Sequence, residues 1–182
     1  MKILHEEPLA RHGYWGVGGP IERLLLVDSV AELSGLGRPI EVIGNGSNLL
    51  VPDAGLRGTV VRLVGLKGSE ILEDGDRVLV RAEAGLMNSV LLTRLAKLGV
   101  GGLGCLAGVP GTVGGAVAMN AGTALGEVAD VLVEVDGLTP EGPRRIPRAD
   151  LPMRYREGGL PAGFVVTSAK IGRAHVLTPV TL

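Results

Sequence analysis

Five consecutive residues have the chemistry of an anion-binding loop. They are Gly44, Asn45, Gly46, Ser47 and Asn48. Gly adopts a positive φ freely and Asn tolerates it better than most residues, so successive backbone N–H groups in such a loop can converge on a phosphate. The segment lacks the Lys of a P-loop and the spacing of a GxGxxG motif. On spacing alone it predicts either a phosphate-binding nest or a plain Gly/Asn turn.

A second Gly-rich segment covers Gly108 to Gly122. Its glycines let the backbone approach a flat or phosphorylated ligand closely, while Pro110 fixes one backbone angle and Asn120 offers an amide to a ligand. The alternative is close packing of strands, in which Gly makes room for neighbours. Two such segments in one chain favour an extended ligand with a diphosphate, such as a dinucleotide.

The third candidate is Arg156, which directly follows Tyr155. An arginine beside an aromatic ring can clamp an anion or stabilise developing negative charge. The alternative is a solvated surface arginine, and four more lie nearby in the sequence: Arg144, Arg145, Arg148 and Arg154. Trp15 is predicted to be a packing residue rather than a flavin stacker.

Composition excludes several classes of protein. Of the 182 residues, 46% are apolar and 20% are charged, and the net charge is −1. No global field therefore recruits nucleic acid or anionic lipid. The single cysteine, Cys105, excludes a disulfide framework and a four-thiolate zinc site, and its apolar surroundings indicate a buried side chain. The three histidines lack metal-ligand spacing, so we predict no metal.

The sequence also predicts where the protein is located in the cell. The first residues contain no apolar stretch of signal-peptide length, so a cytoplasmic location is expected. Residues 98–126 carry no Asp, Glu, Lys or Arg, a run long enough to span a bilayer. However, this run is rich in Gly and carries Pro110, so much of it would expose backbone rather than hydrocarbon. We predict buried strand, turn and tight loop there, and no membrane partner.

Around the first Gly-rich segment the sequence predicts a β-α-β unit. A strand over Ile21–Val27 leads into a short helix capped by Asp28 or Ser29. A second strand, Pro39–Gly44, then runs into the Gly/Asn loop.

The later chain predicts strand pairs with few helices. Asp74-Gly75 is the expected turn of a hairpin, and Leu86–Leu98 has helical spacing with a stop at Gly99. This mixture predicts an α+β fold rather than a doubly wound parallel sheet. We predict a first subdomain over residues 1–58 and a second over 59–170. Residues 171–182 resemble one reading frame of a common sequencing adapter, so we expect them to be a non-native tail.

Four segments, in order, resemble the UDP-N-acetylenolpyruvoylglucosamine reductase (MurB) family. They are GVGGPIERLLLVDSVAEL (16–33), VIGNGSNLLV (42–51), GVPGTVGGAVAMNAG (108–122) and MRYRE (153–157). The resemblance implies an FAD-binding domain of the vanillyl-alcohol-oxidase (PCMH) type, with two α+β subdomains and FAD between them. We expect the family's C-terminal substrate domain to be absent.

The resemblance also implies site residues and an activity. Those it assigns to FAD binding are Gly44, Asn45, Gly46, Ser47, Asn48, Gly108, Pro110, Gly111, Thr112, Gly114, Gly115, Asn120 and Gly122. Residues 44–48 would hold the diphosphate through backbone N–H groups, and Arg156 matches the arginine that polarises the enolpyruvyl carboxylate. The implied reaction is the FAD-dependent, NADPH-linked reduction of UDP-N-acetylglucosamine enolpyruvate to UDP-N-acetylmuramate, a step of peptidoglycan precursor synthesis.

The chain departs from the family in three respects. Gly104 stands where the family usually has Glu, and Gly158 where it usually has Ser. The family's catalytic serine and C-terminal glutamate have no counterpart, so no proton donor is assigned and we expect this chain to be inactive alone. Two other classes stay open: a PCMH-type FAD oxidoreductase acting on an alcohol, and a non-catalytic FAD-binding fragment. The sequence predicts no oligomeric state.

Overall fold

The computed structural model describes residues 1–36, 40–74 and 77–176, which form two main β-sheets. The strands are β1 (Lys2–Pro8), β2 (Pro20–Leu26), β3 (Glu41–Val42), β4 (Leu56–Arg62), β5 (Ser69–Asp74), β6 (Arg77–Glu83), β7 (Val100–Gly101), β8 (Gly122–Thr123), β9 (Gly126–Glu127), β10 (Leu132–Thr139), β11 (Gly142–Pro147) and β12 (Val165–Val176). The α-helices are α1 (Val30–Ser34), α2 (Asn88–Lys97) and α3 (Val113–Ala118). Short 3₁₀ helices occupy Leu9–Arg11, Gly104–Leu106, Val128–Asp130 and Arg148–Asp150.

The first sheet has the strand order β1-β2-β4-β3. β2, β4 and β3 are parallel, while β1 pairs antiparallel with β2. The predicted β-α-β unit is present, and Ser29 caps α1 by accepting a hydrogen bond of 3.3 Å from the Glu32 N–H. The predicted boundary at residues 58/59 falls inside β4, so this sheet continues to Arg62.

The second sheet has the order β11-β10-β12-β6-β5, with β7 pairing on β12. Its pairs are antiparallel, and β5 and β6 form the predicted hairpin, although Gly75 of the expected turn lies outside the described residues. β12 extends through Val176 and so includes the start of the suspected tail. Residues 177–182 lie outside the described residues, and the origin of the tail stays a prediction.

The core connects the two sheets. Side chains alternate along a strand, so Val60 faces a smaller core within the first sheet while Val61 faces a larger core shared with α2, α3, β6, β10 and β12. The predicted helix over 86–98 is confirmed as α2, which buries Leu91 and Leu95. Cys105 is buried, as predicted.

The uncharged run over residues 98–126 differs from its prediction. We expected strand, turn and loop, but Val113–Ala118 forms helix α3. Thr112 caps this helix, because its hydroxyl oxygen accepts a hydrogen bond of 3.4 Å from the Gly115 N–H. A bilayer-crossing helix is not found in the described part of the chain.

Candidate functional site

A cleft of about 600 Å³ lies between the two sheets. The first Gly-rich segment contributes Gly44 and Asn45 to its lining, and the second contributes Thr112, Gly114 and Gly115. The volume falls within the range of about 300–1,000 Å³ typical of cofactor and small-ligand sites. The cleft lies where the parallel strands β4 and β3 end, and this carboxyl edge is where open sheets commonly bind ligands.

The two Gly-rich segments contact each other beside this cleft. The Ser47 hydroxyl donates a hydrogen bond of 3.3 Å to the Pro110 carbonyl. A Cβ at Gly111 would lie 2.9 Å from Ser47 Oγ, and one at Gly44 would lie 2.7 Å from Thr112 Oγ1. Side chains at these two positions would push the segments apart, so glycine is needed for them to meet.

The backbone donors of the first segment have no partner in the described part of the protein. Among the described residues, no N–H group of residues 44–48 donates a hydrogen bond to the protein. The carbonyl groups do have partners: the Tyr14 N–H donates to the Asn45 oxygen at 2.9 Å, and Trp15 Nε1 donates to the Ser47 oxygen at 3.2 Å. Gly46 has a φ of +65°, a conformation that favours glycine. Successive free N–H groups in a half-buried loop fit an anion-binding nest better than a plain turn.

The second segment combines close packing with access to the cleft. The Gly114 N–H donates to the Ala84 oxygen at 2.9 Å, and a Cβ at Gly114 would lie 2.9 Å from Ala84 Cβ. Helix α3 therefore packs directly on the end of β6. At Gly115 the nearest atom to an added Cβ is Thr112 Oγ1, at 3.5 Å, so Gly115 leaves that part of the cleft open.

Asn120 is buried and bonded on every side to protein. Its amide nitrogen donates to Glu127 Oε2 at 2.8 Å and to the Arg154 oxygen at 2.9 Å, and its side-chain oxygen accepts from the Ala129 N–H at 2.9 Å. Both amide hydrogens are occupied, so donation of a hydrogen bond to a ligand would break one of these bonds. The predicted site residues that lie outside the cleft lining are Gly46, Ser47, Asn48, Gly108, Pro110, Gly111, Asn120, Gly122 and Arg156.

Arg156 lies at the tip of a tight turn closed by backbone hydrogen bonds between Arg154 and Glu157. Its guanidinium is exposed, donates to the Gly122 oxygen at 3.2 Å, and lies 5.1 Å from the centroid of the Tyr155 ring. A φ of +60° strains this non-glycine residue, and such strain concentrates at functional sites. The side chain is thus fixed to the end of the second Gly-rich segment, and its catalytic role stays a prediction.

The neighbouring arginines differ from one another. Arg145 pairs with Asp136 at 2.6 Å. Arg148 donates to the oxygens of Ala129 and Leu151 at 3.1 and 3.0 Å, so it is a structural arginine rather than a freely solvated one.

Sequence reasoning missed or misplaced two features of the site. Arg62 lines the cleft, and its only sequence signal is a single charge among the apolar residues 60–64. Trp15 was predicted to be a packing residue, but 57% of it is exposed, and its ring nitrogen donates a hydrogen bond to the first Gly-rich segment. No local sequence pattern predicts the contact between Trp15 and Ser47.

Comparisons with known proteins agree with this geometry. Residues 25–145 match the family described as FAD binding domain. The chain is 40% identical over 177 residues to a UDP-N-acetylenolpyruvoylglucosamine reductase of Anaeromyxobacter sp. (strain Fw109-5), covering 93% of this chain and 55% of the relative. The crystal structure of the same kind of reductase (MurB) from Thermus caldophilus matches with a TM-score of 0.80 and 35% identity, over 96% of this chain and 62% of that one.

A more distant structure extends the fold comparison. A solvent-stable cholesterol oxidase matches with a TM-score of 0.70 and 19% identity, over 96% of this chain and 38% of that one, which shows a shared fold alone.

The predicted α+β fold of the PCMH type and the predicted resemblance are confirmed. The chain spans about half the length of the reductase from Anaeromyxobacter. Through residues 25–145, about two thirds of its length, this chain belongs to the FAD binding domain family, and its cofactor is FAD.

Proposed function

We propose that this chain is the FAD-binding part of a UDP-N-acetylenolpyruvoylglucosamine reductase, which reduces its UDP-sugar enolpyruvate substrate with NADPH. The observation that carries the proposal is the run of free N–H groups at residues 44–48, beside a cleft that both Gly-rich segments reach. The sequence similarity to reductases of that name supports the reaction.

The residues present fit FAD. The free N–H groups of residues 44–48 would bind its diphosphate. The missing side chain of Gly115 leaves room beside them, and apolar residues such as Leu63 and Val166 line the cleft and would keep water away from the ring system. When bound, FAD supplies hydride transfer between NADPH and the enolpyruvyl double bond.

Arg156 would act on the substrate rather than on FAD. An enolpyruvyl carboxylate gains negative charge as its double bond is reduced, and a permanently protonated, planar guanidinium stabilises that charge. The turn between Arg154 and Glu157 and the bond to the Gly122 oxygen would hold the guanidinium in place. No residue of this chain is assigned as proton donor, so we propose that the chain does not turn over alone.

The test is retention of the cofactor. Purified protein is incubated with FAD, desalted and examined for a flavin absorbance band, and parallel samples receive AMP or NADPH. We expect FAD to be retained. Retention of AMP or NADPH without FAD would contradict the proposal. With FAD and NADPH supplied, reduction of the enolpyruvyl substrate should be undetectable for this chain and present for the full-length protein.

A further inference from the structure

Arg62 is a charged residue at the end of a strand whose preceding valines are apolar and buried. It is the last residue of β4, and the two residues before it, Val60 and Val61, are almost completely buried in the two cores. Arg62 itself is half-buried and lines the cleft together with Gly44 and Asn45. A guanidinium at this place has lost part of its hydration.

No described residue balances the charge of Arg62. Within the described ranges, its guanidinium makes no ion pair and no hydrogen bond. Burial lowers the pKa of Arg62, because a desolvated charge without a counterion is unfavourable. Two other charged residues line the cleft, the exposed Glu41 and the exposed Lys67, and neither compensates it. A half-buried arginine of this kind is expected to meet an anion brought by a ligand.

The strand register puts Arg62 next to the anion-binding loop. β3 and β4 are parallel, with Val42 opposite Val61, so the next pair in register is Ile43 and Arg62. Ile43 directly precedes the free N–H groups of residues 44–48. Arg62 and the loop therefore lie at the same edge of the sheet, where the parallel strands β3 and β4 end.

We propose that Arg62 binds the diphosphate of FAD together with the N–H groups of residues 44–48. The proposal rests on the proposed function, since it assumes FAD in the cleft. Backbone N–H groups carry only partial charge, whereas a guanidinium supplies a full positive charge and a planar pair of donors that matches phosphate oxygens. Arg62 thus adds the charge that the loop itself lacks.

The experiment measures FAD affinity by fluorescence titration of the purified chain. Arg62→Gln should weaken FAD binding by about 10- to 100-fold, the usual worth of a hydrogen bond to a charged group. It should leave riboflavin, which has no diphosphate, bound as in the wild type. Arg57→Gln is the matched control, because it removes the same charge from an exposed position of the same strand and should leave FAD affinity unchanged.

Two further measurements separate a diphosphate contact from a structural one. Raising KCl from about 50 to about 300 mM should weaken FAD binding in the wild type more than in Arg62→Gln, because salt screens charge. Glu41→Gln should strengthen FAD binding, since it removes a repelling carboxylate from the cleft. If Glu41→Gln instead weakens FAD binding and lowers the stability of the protein, Arg62 forms an ion pair with Glu41 and the proposal fails.

The outcomes are distinct from those that test the proposed function. If the wild type does not bind FAD, the proposed function itself fails. If the wild type binds FAD and Arg62→Gln binds it equally well, only the role of Arg62 is overturned. Should Arg62→Gln not fold, Arg62→Lys replaces it in the titration, because lysine keeps the charge and loses the planar pair of donors. If Arg62→Lys binds FAD as tightly as the wild type, the proposed role of those planar donors is overturned.

Discussion

The side-chain amide of Asn120 donates a hydrogen bond of 2.9 Å to the backbone carbonyl of Arg154. The two residues are far apart in sequence, and the bond joins the second Gly-rich segment to the turn that carries Arg156. The bond from Arg156 to the Gly122 oxygen is a second link between the same two segments. The end of one segment and the turn of the other are therefore held as one unit.

Replacing Asn120 with Ala should destabilise the protein. The change leaves the Ala129 N–H without a partner inside the protein and removes one of the two hydrogen bonds to the Arg154 oxygen, which costs about 1–3 kcal/mol of the free energy of unfolding. Urea denaturation followed by circular dichroism measures this loss. The same change at Asn48, which is exposed, should leave stability unaltered. Equal stability of the two variants would show that the Asn120 network contributes little.

Gly46→Val should weaken FAD binding. A side chain at a φ of +65° is strained, and its Cβ would lie 3.1 Å from Gly13 Cα, so the loop must shift; we expect a loss of about 1–3 kcal/mol in binding. Gly58 has a φ of +88° and no atom within 4 Å of an added Cβ. Gly58→Val therefore reproduces the backbone strain away from the cleft and should lower stability alone. A similar loss of FAD affinity in both variants would contradict the role of the loop.

Gly158→Ser should be poorly tolerated, although serine is usual at this position in the resembling family. The Gly158 N–H donates to the Ala118 oxygen at 2.9 Å, and an added Cβ would overlap the carbonyl oxygen of Val117. We expect a loss of about 1–3 kcal/mol in unfolding free energy, the typical cost of overpacking. Thermal unfolding measures it. Gly104→Ala is the control, because its Cβ would meet only the flexible side chain of Leu125, at 3.3 Å.

Arg156→Lys should lower turnover of the full-length protein by about 10²- to 10³-fold while FAD retention stays the same, because lysine keeps the charge and loses the planar fork. Steady-state kinetics and flavin absorbance measure the two effects. Arg148 is unsuitable as a control, since it donates to two backbone oxygens. Arg144 is exposed, and Arg144→Lys should change neither quantity. Equal kinetics of the two variants would show that Arg156 is a solvated surface arginine without a catalytic role.

Stability should fall at acidic pH through Asp136. Burial alone would raise the pKa of this carboxyl, but hydrogen bonds from Arg145 and Ser168 hold it below its usual range. Since the pKa is lower in the folded state, its contribution is fully present above the unfolded value of about 3.9 and is lost as the pH falls through the folded value. Urea denaturation between about pH 3 and 7 should show a shallower acid decline for Asp136→Asn. Asp53→Asn, at an exposed position, should follow the wild type.

Features governed by neighbouring residues could be predicted from the sequence. The Ser29 cap, helix α2 and the β5–β6 hairpin each depend on residues a few positions apart. The two Gly-rich segments were recognisable for the same reason, because their unusual composition is local.

Features governed by distant contacts could not be predicted. Helix α3 contains two glycines and so has low intrinsic helix propensity. It forms because Thr112 caps it and because Gly114 packs on Ala84, far away in sequence. The partners of Asn120 and the place of Arg62 in the cleft likewise depend on the assembled fold, and no pattern within either segment encodes them.

The position of β12 at the centre of the second sheet determines the order in which the chain can fold. β12 pairs with β10 on one side and β6 on the other, yet it follows both in the sequence. Until it is made, the sheet consists of two separate hairpins, each with an unpaired strand edge. During synthesis the first sheet can form early, because its last strand ends at Arg62. The unpaired edges of the two hairpins stay exposed until β12 is synthesised, and in that interval they can pair wrongly with other chains.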